Sequence, residues 1–118
     1  MILVDTSVWI DHFRVGNPRL KGLLLETAVL THPFIVGELA CGSLKNRQAI
    51  MSLLRTLPEA DSAGHDEVLD LLEIEHLYGC GIGWIDAHLL ASARLSRAGI
   101  WTLDRCLARI ASGLGISA

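Results

Sequence analysis

Four acidic residues, Asp5, Glu38, Asp86 and Asp104, lie beside apolar residues and have no lysine or arginine at helical spacing. An acid on a solvated helix usually has a lysine or arginine three or four residues away, as Asp11 has Arg14. Glu38 instead has Phe34, Ile35, Cys41 and Gly42 at those offsets, Asp86 has Leu89 and Leu90, and Asp104 has Leu107 and Ala108. Asp5 directly follows the apolar run Ile2-Leu3-Val4. Carboxylates gathered in a partly buried place repel one another and lose hydration, so they either protonate or bind a cation. An all-oxygen donor set selects a hard divalent ion such as Mg²⁺ or Mn²⁺ over zinc. Such an ion activates water and neutralises charge on the attacking and leaving oxygens of a phosphodiester. Phosphodiester hydrolysis is therefore the chemistry these four imply, and it needs no His or Cys nucleophile.

To act together the four must meet, and the intervening elements say how. Ile2 to Val4 reads as a strand, after which Thr6-Ser7 offers an N-cap to a helix through Val8, Trp9, Ile10 and Phe13. Gly16-Asn17-Pro18 stops that helix. Leu20, Leu23, Leu24 and Leu25 suggest a second short helix, and Ala28 to Thr31 a second strand. Pro33 opens a helix from about Phe34 to Leu44, and another covers Ala49 to Leu57 with Pro58 as its stop. Glu59 to Gly64 reads as a polar loop, and Val68 to Leu77 as a further helix. The glycines of Gly79 to Gly83 interrupt before the helix carrying Asp86, which Gly99 closes. Ile100 to Leu103 is a buried-type strand, followed by a helix near Arg105 to Gly113 and an edge strand at Ile116. Strands alternating with helices predict an α/β fold, a short parallel sheet flanked by helices, with its site at the carboxyl ends of the strands. Asp5 and Asp104 then follow strands, Glu38 and Asp86 sit early in helices, and all four fall on one rim.

The bulk composition narrows the field. A chain of 118 residues suits one domain, and 51% hydrophobic against 19% charged residues excludes a disordered tail. The formal net charge of -3 provides no global basic field, so any nucleic-acid contact is local. Cys41, Cys80 and Cys106 are odd in number and share no C-x-x-C spacing, which indicates neither a disulfide framework nor a zinc knuckle. The first residues lack the pattern of a signal peptide, and no apolar run is long enough to span a bilayer, so the cytoplasm is the expected location.

The stretches Val4-Asp5-Thr6-Ser7-Val8-Trp9, Gly37-Glu38-Leu39-Ala40, Ile85-Asp86-Ala87-His88-Leu89-Leu90-Ala91 and Thr102-Leu103-Asp104 together resemble the PIN-domain nucleases. More narrowly, the chain resembles the VapC toxins of type II toxin-antitoxin pairs, in the same motif order over nearly its whole length. That resemblance implies a PIN fold over residues 1–118, endoribonuclease activity and dependence on Mg²⁺ or Mn²⁺. It also implies a homodimer and a VapB-like antitoxin that covers or enters the site. Asp5, Glu38, Asp86 and Asp104 take the family's acidic positions, as both catalytic and metal-holding residues, and Ser7 and Thr102 fall where the family often has hydroxyls that orient them. Many members have a further Asp two residues after the fourth acid, whereas here Cys106 stands there.

Other residues read more plainly. Asp5, Asp104 and Ser7 each also suit a helix N-cap, and Asp86 suits a first helical turn. The five histidines, His12, His32, His65, His76 and His88, share no metal-ligand spacing. Trp9, Trp84 and Trp101 flank the acidic motifs and read first as core residues, with base stacking as the minority reading. Lys45, Arg47, Arg105 and Arg109 lie just downstream of site acids, where they would steer RNA phosphates or equally serve a solvated face. A phosphoacceptor receiver module would need a lysine near the last strands, and the only lysines are Lys21 and Lys45. The remaining alternative is a catalytically silent PIN-like domain that binds RNA or protein without cutting.

Overall fold

The apolar run at residues 2–4 is the middle of the sheet. In a computed structural model that describes residues 1–118, β1 (Ile2–Val4) lies between β2 (Val29–Leu30) and β3 (Gly99–Trp101), and both pairings are parallel. Ile2 is registered with Val29 and with Gly99, and Leu3 with Leu30 and with Ile100. Parallel strands this short have no wet face: Leu3, Val4, Val29, Leu30, Ile100 and Trp101 are all buried. Helices supply the cover. They are α1 (Thr6–Val15), α2 (Pro18–Leu25), α3 (Pro33–Cys41), α4 (Arg47–Thr56), α5 (His65–Ile74), α6 (Trp84–Leu95) and α7 (Arg105–Gly113). The expected α/β architecture is therefore the observed one.

The innermost helix is α6, which packs on β3 and on α5. Every residue from Ala87 to Ala93 is buried, and the small side chains of Ala87, Ala91, Ser92 and Ala93 let its neighbours approach closely. Outside it, α7 turns Leu107 and Ala111 inward and Arg105 and Arg109 to solvent. One cluster of 25 buried apolar residues joins all the layers.

Several boundaries depart from the sequence reading, each for a local reason. The helix expected to reach Leu44 ends at Cys41, where Gly42 N–H returns to Leu39 O and the Arg47 guanidinium caps the carbonyls of Ala40 (2.6 Å) and Gly42 (3.2 Å). The helix expected to reach Leu77 ends at Ile74, with His76 in the left-handed region (φ 53°) and Leu77 N–H bonded back to Leu72 O at 2.9 Å. Gly99 does not close α6, which stops at Leu95. It opens β3, where a Cβ would lie 2.8 Å from the Ala118 Cβ, so glycine is needed for close approach. The strand expected at Ile100 to Leu103 stops at Trp101. The edge strand expected at Ile116 is a single bridge between Ile100 and Ser117, and the polar loop at 59–64 bridges Thr31 through Glu59 and buries Ala60 and Ala63. Asp11 does not pair with Arg14; it accepts from Asn17 Nδ2, and the one salt bridge is Arg94 to Glu75.

Candidate active site

β1 ends in a side chain that serves two elements. Asp5 N–H donates to Trp101 O (2.9 Å), extending the β1–β3 ladder, while its carboxylate caps α1 by accepting from Ser7 N–H (3.4 Å). The cap expected from Thr6 or Ser7 is thus one residue earlier. Ser7 Oγ (2.7 Å) and Thr102 Oγ1 (2.8 Å) donate to the same oxygen, Asp5 Oδ2. All three bonds fall on Oδ2 and leave Oδ1 outside this network. The two hydroxyls lie 3.3 Å apart; Ser7 Oγ accepts from Leu103 N–H and Thr102 Oγ1 from Asp104 N–H, each at 3.0 Å. Hydrogen bonds to an ionised group contribute about 1.5–3 kcal/mol each, and Asp5 is only 7% exposed. Its carboxylate is therefore held in one orientation.

The other three acids approach from different elements. Glu38, on the exposed side of α3, accepts from Thr6 Oγ1 at 2.9 Å, so the residue after Asp5 steadies it. Asp86 is half-buried in the first turn of α6 and accepts from Gly83 N–H at 3.4 Å. Asp104 is exposed and caps α7, its Oδ1 accepting from Leu107 N–H at 3.0 Å. Burial pushes the Asp86 carboxyl above its usual range; the Gly83 N–H opposes this, and the charges of Asp5, Asp104 and Glu38 reinforce it. Asp5, Glu38 and Asp104 are thus near enough for their charges to be felt at Asp86. The chain leaves β1 for β2 on one side and reaches β3 on the other, so Asp5 stands at the topological switch point, where parallel α/β sheets open a crevice. No three His, Cys, Asp or Glu side chains close into a tight metal-holding cluster. Asp5 and Asp104 are also committed as helix caps. Carboxylate oxygens such as these are the donors that a hard divalent ion takes.

The basic residues behave differently from one another. Lys45 lies exposed in the α3–α4 connection, Arg105 opens α7, and Arg109 follows one turn later with its guanidinium 4.0 Å from Cys106 Sγ. Arg47 is occupied by the carbonyls that end α3.

Among the aromatic residues, Trp9 is wholly buried against Phe13, and Trp101 is buried with the Arg19 guanidinium over its ring at 4.3 Å. Trp84 is 39% exposed and Phe34 38% exposed. His32 caps α3, its Nδ1 accepting from Phe34 N–H at 3.0 Å, and His12 Nδ1 accepts from Asn17 N–H at 3.0 Å. Sequence reasoning missed the Thr6 bond to Glu38 and the His32 cap; the one signal for the latter is a polar residue directly before Pro33 at a helix start.

The PIN domain family matches residues 2–113. Ribonuclease VapC32 of Mycobacterium tuberculosis, in strains CDC 1551 / Oshkosh and ATCC 25618 / H37Rv, is 42% identical over 118 residues, 99% of this chain and 95% of that protein. A family match over almost the whole chain, identity at this level and a parallel α/β sheet with Asp5 at its switch point agree: the chain belongs to the PIN-domain family and is of the VapC type.

Proposed function

We propose that this chain is a metal-dependent endoribonuclease, the toxin of a type II toxin-antitoxin pair. The observation that carries the reading is Asp5: buried at the switch point, held through one oxygen by Ser7 and Thr102, and acting with Glu38 and Asp104 on the Asp86 carboxyl. Asp5, Glu38, Asp86 and Asp104 would hold Mg²⁺ or Mn²⁺, which supplies water activation and charge neutralisation at the phosphodiester. Ser7 and Thr102 fix the direction of the Asp5 carboxylate, Thr6 steadies Glu38, and the mutual repulsion felt at Asp86 favours a cation. Lys45, Arg105 and Arg109 are free to meet phosphates of the flanking RNA, whereas Arg47 reaches them only by releasing its carbonyls. The mycobacterial relative, a ribonuclease, supports ribonuclease action, and the VapC type supports a VapB-like antitoxin as partner. A homodimer and a cytoplasmic location belong to the same reading, and no helix is long and apolar enough to cross a membrane.

The test is cleavage of total cellular RNA by purified protein with Mg²⁺, Mn²⁺ or EDTA, alongside Asp5→Asn. Discrete metal-dependent cuts that vanish in the variant are expected. Wild-type rates in Asp5→Asn would overturn the four-carboxylate site, and no cleavage with either metal would leave the silent PIN-like domain as the better reading.

A further inference from the structure

A continuous chain of rings runs across the starts of α3, α6 and α5. His32 meets Phe34 at a centroid distance of 5.1 Å, Phe34 meets His88 at 4.9 Å, His88 meets Trp84 at 4.7 Å, and Trp84 meets His65 at 5.1 Å. The planes cross at 55° to 86°, so none of these rings lies flat against Phe34 or Trp84. His32 and His88 are buried supports, while Phe34 and Trp84 open to solvent. Their places matter. Phe34 stands four residues before Glu38 on α3, on the same face and about 6 Å along the axis, and Trp84 opens α6 in the same turn as Asp86.

We propose that Phe34 and Trp84 form a stacking ledge for the bases of single-stranded RNA beside the phosphodiester held at the rim. This rests on the nuclease reading given above and adds where the flanking nucleotides bind. The charge balance favours bases over backbone as the source of affinity. The chain carries a formal charge of -3, and the rim itself is acidic, so general phosphate attraction contributes little. Stacking on an aromatic ring is indifferent to that charge and available to every base. Two half-exposed rings within one helical turn of two site acids provide it.

Binding of a labelled, mixed-sequence single-stranded oligoribonucleotide is read by anisotropy and by tryptophan fluorescence in EDTA. Trp9 is wholly buried and Trp101 is covered by Arg19, so Trp84 is the exposed emitter. RNA should quench wild-type fluorescence and leave Trp84→Phe unquenched. Phe34→Ala and Trp84→Ala should each bind about tenfold more weakly, whereas Trp84→Phe, which keeps a ring, stays within about threefold. With Mn²⁺ the alanine variants should raise KM about tenfold at nearly constant kcat. Thermal melts check folding, and Phe34→Leu with Trp84→Phe provides the comparison should an alanine variant unfold.

Anisotropy without quenching, or alanine variants that bind like wild type, would overturn the ledge. So would loss of a second copy on size exclusion in Trp84→Ala with RNA binding unchanged, because the rings would then cover another protomer. Failure of wild type to bind any single-stranded RNA also overturns it. None of these binding readouts needs turnover: a protein that binds and quenches without cutting keeps the ledge and refutes the nuclease reading instead.

Discussion

Replacing Thr102 by valine removes one hydroxyl at nearly constant shape and tests the clamp on Asp5. Thr102 is 9% exposed, so water does not readily replace the lost group. Three contacts end together: the donation to Asp5 Oδ2 at 2.8 Å, the acceptance from Asp104 N–H at 3.0 Å and the approach to Ser7 Oγ at 3.3 Å. A hydrogen bond to a charged group contributes about 1.5–3 kcal/mol, and an orphaned N–H costs about 1 kcal/mol more, so the loss is about 2–4 kcal/mol. With 118 residues the unfolding entropy is about 0.25 kcal/mol/K, which converts this to a fall of about 8–16 °C in Tm. Ser7→Ala removes the other hydroxyl from the same oxygen. The double variant should be non-additive by at least about 0.5 kcal/mol, because each hydroxyl compensates partly for loss of the other. Circular-dichroism melts give the cycle, and calorimetric titration with Mn²⁺ should show affinity weakened by about 10–100-fold in Thr102→Val. A melt within about 2 °C of wild type, an additive cycle or unchanged Mn²⁺ affinity would each refute the argument that these hydroxyls orient Asp5.

The raised Asp86 carboxyl means that the folded protein holds this proton more tightly than the unfolded chain, so ionised Asp86 costs stability as pH rises above the ordinary carboxylate value. Asp86→Asn should therefore melt higher than wild type at neutral pH in EDTA, with the gap closing in acid; a gap independent of pH would contradict this. Thr31→Val should be neutral or stabilising by up to about 1 kcal/mol in a denaturant titration, since the buried Thr31 hydroxyl has no partner to lose. Arg47→Met should lower Tm by about 4 °C through loss of the α3 carbonyl cap, while the salt dependence of RNA binding stays that of wild type.

The chemistry of the rim was more legible in the sequence than the means of holding it. Asp5 after Ile2-Leu3-Val4 announces a strand end because hydrophobic runs and turn residues are local signals, whereas Asp104 lies three residues beyond β3 and marks the start of α7. Glu38 and Asp86 lie in apolar helical stretches without a basic partner at helical spacing. What spacing does not carry is which atoms meet across the fold. Thr6 and Glu38 are 32 residues apart, and Ser7 and Thr102 are 95 apart. Phe34 and Trp84 touch the same imidazole only because α3 and α6 converge. Expected burial also differed from what packing allows: Asp5 and Asp86 are shielded, whereas Glu38 and Asp104 face solvent on helix surfaces. Helix ends slipped by three residues at Cys41 and Ile74, since a left-handed His76 and an arginine returning from residue 47 leave no pattern in the apolar periodicity.

The bond between Asp5 and Thr102 joins residues 97 apart, and the central strand takes one of its two neighbours from beyond residue 98. A ribosome reads such a molecule from the wrong end for early activity. Growing chains carry Asp5, Glu38 and even Asp86 while the third strand, the hydroxyl that orients Asp5 and the fourth acid are still unsynthesised or inside the exit tunnel. At ordinary elongation rates of about 5–20 residues per second, about 5–20 s separate the synthesis of Asp5 from that of Thr102. A polypeptide that stops short of β3 lacks one neighbour of the central strand, the Thr102 hydroxyl on Asp5 and Asp104 together.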